Sequence, residues 1–247
     1  MKTSHPVALA VTVLSLILTA GRSSAQQDPI VPVGSLSANP SFVQVGMKPN
    51  LTWNITYPEV VKDIVTVTPP GTLTPKQKVV MDVRVIGASV KLTWTNNWGQ
   101  VTRWEWVPTE ALISVGGASY SRIFYNTQDK VVGSKIVYTS TVQSGKSINF
   151  GGRYYLDNKW STFYSSTNSS KNVVALLDGD TPPTTTPLYQ QPTIEDFIKP
   201  YLDGQGKVKI GPKDVIYLME LTHTNKNDGG FDLQDLALIV TFRTVNE

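Results

Sequence analysis

The chain has 247 residues, with 22 Lys and Arg against 19 Asp and Glu, two His and no Cys. This nearly balanced charge excludes a nucleic-acid-binding protein that depends on a basic surface. The lack of cysteine excludes disulfides and any zinc or copper site built from cysteine and histidine, so that only oxygen-bound cations remain as candidate metals. The length suits one large domain or two modest ones.

The first 25 residues have the features of a secretory signal peptide. Lys2 gives a positive start, an apolar run follows from Val7 to Ala20, and Ser23–Ala25 is a small-residue cleavage site. A membrane-spanning helix needs about 20 apolar residues, and Arg22 ends this run earlier. We therefore expect a leader over 1–25 and a secreted, periplasmic or cell-envelope protein with no membrane span after its removal.

Residues 26–40 form a polar, proline-bearing lead-in, after which apolar and polar residues alternate from Leu51 to Tyr57. This alternation predicts a half-buried strand. The opening Asn39-Pro40-x-x-Val43-x-x-Gly46, followed by Leu51-Thr52-Trp53, resembles the start of bacterial immunoglobulin-like modules. The resemblance implies a β-sandwich.

About ten further short runs enriched in Val, Thr, Tyr and Trp are separated by turn residues, which favours a sandwich or barrel over an α/β fold. The predicted fold is mainly β: an immunoglobulin-like or jelly-roll-like β-sandwich over residues 41–180. Asn96-Asn97-Trp98-Gly99 joins two of the strands as a hairpin, with Gly99 available for a left-handed conformation. The predicted strands are Ile64–Val67, Val79–Val85, Ser89–Thr95, Gln100–Val107, Ala111–Val115, Tyr120–Tyr125, Ser134–Val142, Ser147–Phe150, Arg153–Leu156, Trp160–Tyr164 and Asn172–Leu177.

A threonine- and proline-rich linker is expected over 181–192, followed by a short helical subdomain of two or three helices over 193–247, packed on the sandwich. Pro212 suits a helix start, and the apolar residues of Val215–Thr222 leave only a narrow polar strip that includes Glu220. Asp232 and Asp235 have the spacing of a capping box for a second helix. We expect both helices to belong to the core.

The whole pattern is similar to a group of exported bacterial β-sandwich proteins with an immunoglobulin-like opening and a helical C-terminal tail. The tail motifs that carry this resemblance are Val-Ile-Tyr-Leu-Met-Glu-Leu at 215–221 and Phe-Asp-Leu-Gln-Asp-Leu at 231–236. The resemblance implies export and architecture, and it carries no activity.

Catalytic chemistry has few candidates in this sequence. Outside the predicted leader the only histidine is His223. This argues against a serine triad, because a position at a helix end already explains that histidine. Glycosidases need two carboxylates a short distance apart, and Glu105 and Glu110 are the most suggestive pair. A carboxylate-based, polysaccharide-degrading enzyme is therefore the alternative to a non-catalytic protein.

A polar loop between the two predicted helices, Thr224–Asp235, resembles a calcium-binding EF-hand loop. Thr224 stands where the first aspartate belongs, and Lys226 places a cation at a ligand position. A plain helix-to-helix turn therefore explains the loop better, with a calcium-stabilised structural protein as a further alternative. The candidate ligands are Asn225, Asn227, Asp228, Asp232 and Asp235.

Tryptophan and tyrosine concentrate around two predicted hairpins. Strand parity places Trp104 and Trp106 on one face, which is typical of a core face. Trp98 differs because it lies at a turn beside Asn97, where nothing requires burial. The candidate ligand contacts are Trp98, Asn97, Tyr154 and Trp160.

Taken together, these patterns predict an exported, non-catalytic module that binds a glycan or another protein of the envelope or extracellular space.

Overall fold

The computed structural model describes residues 33–39, 50–168, 171–183 and 195–245. The predicted leader, most of the lead-in and residues 184–192 of the predicted linker lie outside them. In the described part of the chain the only α-helix is a single turn, Val61–Ile64 (α1), and short 3-10 turns occur at Gln128–Lys130 and Lys199–Tyr201. No described helix has the length and apolar character that crossing a bilayer requires.

The protein is mainly β, as predicted, and its sheets are antiparallel. Most predicted strands are confirmed to within a few residues. In chain order the described strands are β1 (Val33–Asn39), β2 (Asn50–Thr56), β3 (Val65–Thr68), β4 (Thr72–Pro75), β5 (Val79–Ala88), β6 (Lys91–Thr95), β7 (Val101–Trp106), β8 (Thr109–Val115), β9 (Ser121–Asn126), β10 (Ile136–Val142), β11 (Ile148–Leu156), β12 (Lys159–Trp160), β13 (Tyr164–Ser165), β14 (Val173–Leu176), β15 (Asp214–Met219) and β16 (Leu236–Thr244).

Two large sheets face each other across one hydrophobic core. The five-stranded sheet has the order β10-β5-β16-β15-β14, and the seven-stranded sheet has the order β3-β4-β11-β8-β9, with β12 and β13 also paired to β11. Phe150 of β11 and Tyr217 of β15 meet between the sheets with ring centroids 4.9 Å apart. The Tyr217 hydroxyl donates a hydrogen bond to the Gly71 carbonyl, which satisfies its polar atom inside the core.

The two predicted strands Ser147–Phe150 and Arg153–Leu156 form one strand, β11, which continues through Gly151 and Gly152. A Cβ at Gly151 would lie 2.5 Å from the Phe163 ring, and one at Gly152 would lie 2.5 Å from a Leu236 methyl group. These glycines therefore permit side chains to pack directly on the strand backbone, and β11 continues through them.

The prediction of two or three C-terminal helices is wrong. The two main helical segments form β15 and β16, which pair with each other, and β16 also pairs with β5. Leu236, Leu238 and Val240 face the sandwich core, whereas Ala237 and Ile239 face the opposite side, and all five are buried. Because both faces of the strand are covered, its apolar run has no polar alternation and resembles a buried helix.

Loop residues, rather than helices, cover the outer face of the five-stranded sheet. Phe197 lies against Gly87 of β5 and leaves no room there for a Cβ. Any third helix at the start of the predicted 193–247 subdomain would begin outside the described residues, and from residue 195 to β15 the only helical segment is the short 3-10 turn Lys199–Tyr201. The buried side chains of this second cluster are Ile86, Leu176, Ile198, Val208, Ile210, Ile216, Leu218, Phe231, Leu233, Ala237 and Ile239.

Two hairpins, β1–β2 and β6–β7, are separate two-stranded sheets. The β6–β7 hairpin lies in sequence between β5 of one large sheet and β8 of the other, so that the sandwich fixes both of its ends.

Candidate functional site

The β6–β7 hairpin and its loop carry four of the six tryptophans of the chain: Trp94, Trp98, Trp104 and Trp106 (the tryptophan hairpin). Trp98 is 84% exposed, Trp104 50% and Trp94 37%. Trp104 and Trp106 share a face as predicted, with ring centroids 4.8 Å apart. The prediction that this is a core face is wrong for Trp104, because the hairpin belongs to neither large sheet and the Trp104 side remains open to solvent.

Asn96 fixes the loop that presents Trp98. Its Oδ1 accepts hydrogen bonds from the backbone N–H groups of Trp98 at 3.0 Å and Gln100 at 2.9 Å, and its Nδ2 donates to Gln100 Oε1 at 2.8 Å. Gly99 has a φ of 76°, which confirms the left-handed conformation expected for it. Trp98 and the exposed Asn97 are therefore presented by a loop whose backbone conformation is held by its own side chain.

Cations stack on both faces of the hairpin. Arg103 Cζ lies 4.5 Å from the centroid of the Trp94 ring, and Lys91 Nζ lies 4.8 Å from the Trp106 centroid. Lys91 Nζ also pairs with Glu195 Oε1 at 3.1 Å. This ion pair connects the base of the hairpin to the loop layer over the five-stranded sheet.

The other two predicted ligand contacts lie on opposite faces of the seven-stranded sheet. Tyr154 packs against the sandwich core, and burial raises the pKa of its hydroxyl. Trp160 lies on the outer face, where its ring centroid is 4.9 Å from that of Tyr155 and 5.6 Å from that of Tyr125. The structure therefore does not bring Tyr154 and Trp160 together on one binding surface.

Arginines engage both carboxylates of the predicted catalytic pair. Glu105 lies on β7 and pairs with Arg103 at 3.1 Å. Glu110 lies on β8 with 1% of its side chain exposed, and its two oxygens accept hydrogen bonds from Arg122 and Arg153. Glu110 consequently presents no free oxygen to a substrate arriving from solvent.

The predicted calcium loop joins two strands rather than two helices, so the flanking elements of an EF-hand are missing. Of its candidate ligands, Asn225, Asn227 and Asp228 are exposed and lie in turns, with Asn225 Nδ2 donating to Asp228 Oδ1 at 3.0 Å. The other two, Asp232 and Asp235, lie close to Glu220 instead.

Glu220, Asp232 and Asp235 (the carboxylate trio) bring their oxygens within 4.8 Å of one another where β15 ends and β16 begins. Glu220 Oε1 accepts from the N–H groups of Thr222 at 3.0 Å and His223 at 2.9 Å, and its Oε2 accepts from the Asp232 N–H at 3.0 Å. Sequence reasoning missed this role because it placed Glu220 on the polar strip of a helix. His223 likewise ends no helix.

Burial and mutual repulsion set the protonation of the trio. Burial, followed by the charge of Glu220, raises the pKa of Asp232 to about 7 and that of Asp235 well above its usual range. Burial would also raise the pKa of Glu220, but hydrogen bonds from Asp235, Thr222 and the loop backbone outweigh it and lower that pKa. Carboxylate oxygens are the ligands that a hard cation such as calcium prefers. Most oxygens of the trio, however, already accept hydrogen bonds, and the retained proton reduces the negative charge of the trio.

No protein-family model, curated protein or solved structure matches the chain. The resemblance to exported bacterial sandwich proteins therefore stays a prediction.

Proposed function

We propose that the protein is a non-catalytic binding module, of immunoglobulin-like or jelly-roll-like type, that works in the cell envelope or outside the cell and recognises a glycan. The observation that supports this most is Trp98, a large flat ring that is 84% exposed on a loop held by Asn96. The leader-like first 25 residues support the location.

A glycan suits the tryptophan hairpin because a sugar ring has a flat apolar face edged by hydroxyl groups. Indole rings offer a large apolar area with few rotatable bonds, and a loop that is already ordered loses little entropy on binding. Asn97 and Gln100 flank Trp98 and are exposed, so their amides supply donors and acceptors for hydroxyl groups. A protein partner would contact the same residues, but none of these residues is specific for a protein.

The alternative of a polysaccharide-degrading enzyme that uses Glu105 and Glu110 is supported less well. A general acid must reach the glycosidic oxygen, whereas the Glu110 side chain is 1% exposed beneath two arginines.

The proposal is tested by measuring how the wild type, Trp98→Ala and Trp53→Ala bind to a panel of soluble neutral oligosaccharides and insoluble polysaccharides. Trp53 is a matched control, since it is also a tryptophan, is 75% exposed and lies on the β1–β2 hairpin. We expect Trp98→Ala to weaken glycan binding by about tenfold or more, as for the central aromatic residue of an interface, and Trp53→Ala to leave it unchanged.

Equal losses in both variants would indicate unspecific adsorption to exposed rings and would contradict the proposal. If the folded wild type binds neither this panel nor an acidic oligosaccharide, the glycan assignment is wrong and a protein partner replaces it.

A further inference from the structure

The outer face of the seven-stranded sheet carries a second group of charges and aromatic rings, on elements other than the tryptophan hairpin. Glu110 of β8 is opposite Tyr125 of β9 and Arg153 of β11 in the strand register, so these three residues share a face. The next residue, Ala111, faces the core, which places Glu110 on the outside. Glu110 is nevertheless 0% exposed, because Arg122 and Arg153 bind its carboxylate.

Arg122 and Arg153 (the arginine pair) engage Glu110 from two strands. Arg122 Nε donates to one carboxylate oxygen at 2.5 Å, and Arg153 Nε donates to the other at 2.5 Å. One glutamate balances the charge of one arginine, so the pair retains an excess positive charge. Their side chains are 49% and 31% exposed, and the hydrogen bonds that they make to described residues use Nε, leaving the Nη groups available.

Aromatic rings hold the two guanidinium groups in place. Arg153 Cζ lies 4.4 Å from the centroid of Trp160, and Arg122 Cζ lies 4.8 Å from that of Tyr125. Stacking of this kind favours one orientation of the guanidinium plane. With Nε fixed on Glu110 and the plane fixed on a ring, the Nη–H groups form a prearranged set of donors that matches the oxygens of an anion.

We propose that the arginine pair binds the anionic group of an acidic saccharide, a uronate carboxylate or a sulfate ester. Tyr125 is 40% exposed beside the pair and offers a surface for the sugar ring that carries the charge. The choice of a saccharide rests on the proposed function, whereas the recognition of an anion rests on the arginine pair. Trp160 then acts as a support for the arginines.

Calorimetric titration with oligogalacturonate, a sulfated oligosaccharide and a neutral oligosaccharide of equal length tests this inference. The variants are Arg122→Gln, Arg122→Lys and Lys130→Gln. Lys130→Gln is the control, because it removes the same charge from a 63% exposed side chain on another element. Arg122→Gln leaves Glu110 paired with Arg153, and a thermal melt checks that the variant is folded.

We expect at least one anionic oligosaccharide to bind the wild type, and Arg122→Gln to weaken that binding by about tenfold or more. Arg122→Lys should recover only part of the loss, because an ammonium group lacks the planar donor edge. Lys130→Gln should change nothing. The anionic ligand that responds identifies the group as carboxylate or sulfate.

Failure of this inference can be told apart from failure of the proposed function. If neutral oligosaccharides bind in a Trp98-dependent manner and the anionic ones bind no better, the arginine pair is only the structural partner of Glu110 and the inference is wrong. If Lys130→Gln weakens anion binding as much as Arg122→Gln, the attraction is unspecific charge and the inference is again wrong. Arg122-dependent anion binding without an effect of Trp98→Ala would retain the inference and reject the tryptophan hairpin.

Discussion

Glu220 and Asp235 each place a carboxylate oxygen within 4.8 Å of the other at the junction of β15 and β16. Both are buried, with 0% and 9% exposure. Two buried carboxyl groups in contact are strongly unfavourable when both are ionised, so a proton remains on one of them. The opposite pKa shifts place the charge on Glu220 and the proton on Asp235.

The trio makes stability depend on pH. Asp232 and Asp235 have raised pKa values in the folded state, so they retain protons that the unfolded chain has already released. Their contribution to stability is complete below the unfolded pKa and is lost as pH rises through about 7 for Asp232 and higher for Asp235. Glu220, with a lowered pKa, acts in the opposite sense and loses its contribution only in acid.

We therefore expect the free energy of unfolding to fall as pH increases from 5 to 8, with a slope of up to about 1.4 kcal/mol per pH unit for each retained proton. Asp235→Asn should flatten this slope, because an amide keeps an oxygen for the N–H groups of Leu221 and Thr222 without a charge. Urea denaturation at several pH values measures both. An unchanged slope in Asp235→Asn would show that another group titrates.

Calcium should not replace this proton. Because Glu220 and Asp235 accept hydrogen bonds from the loop backbone, we expect millimolar calcium to leave the melting midpoint at pH 7 unchanged. Melting with calcium and with EDTA measures this, and Asp228→Asn controls for binding at the exposed turn. A midpoint that rises with calcium in the wild type but not in Asp235→Asn would establish the calcium-stabilised alternative.

β15 and β16 belong to the core of the sandwich, and a change in either strand should affect the whole protein. Leu236 is 0% exposed, and Leu236→Ala should reduce the free energy of unfolding by about 3 kcal/mol. Val132→Ala, at a 59% exposed position, should change it by less than about 0.5 kcal/mol. Fluorescence and circular dichroism should report one common transition. Two transitions, with the first unchanged by Leu236→Ala, would indicate a separate C-terminal module.

Maturation of the chain is a further expectation. Protein recovered from the periplasm or the culture medium should lack residues 1–25 by intact-mass measurement, because the Ser23–Ala25 sequence suits signal peptidase. A full-length product that remains inside the cell would contradict export, and with it the location given to the binding module.

The alternation of apolar and polar residues was sufficient to predict the strands that have one buried face and one solvent-exposed face. In β9, for example, Phe124 packs against the core and the next residue, Tyr125, is exposed. It failed for β15 and β16, since burial of both faces removes the alternation that distinguishes a strand from a helix. Their Val, Ile, Thr and Phe content was the remaining signal for a strand.

The candidate sites likewise divide into features that the local sequence predicts and features that it does not. The exposure of Trp98 followed from its position in a turn, which is a local property. The arginine pair depends on residues far apart in the chain, such as Glu110 with Arg153, which strand register brings together. The carboxylate trio spans only residues 220–235, but it forms where β15 and β16 pair, which the helix prediction did not include. Sequence alone offered Glu110 as an acid among many, with no indication of its partners.

The central position of β16 determines the order in which this sheet is completed. Arg84 of β5 donates a side-chain hydrogen bond to Thr241 Oγ1 of β16, although the two residues are 157 positions apart in the chain. Until β16 emerges, β5 has an unpaired edge that is able to capture strands of other molecules. Pairing at such sequence separation is slow. A chain of this design therefore gains from being kept extended during synthesis and released all at once, which is the condition that passage through a secretion channel imposes.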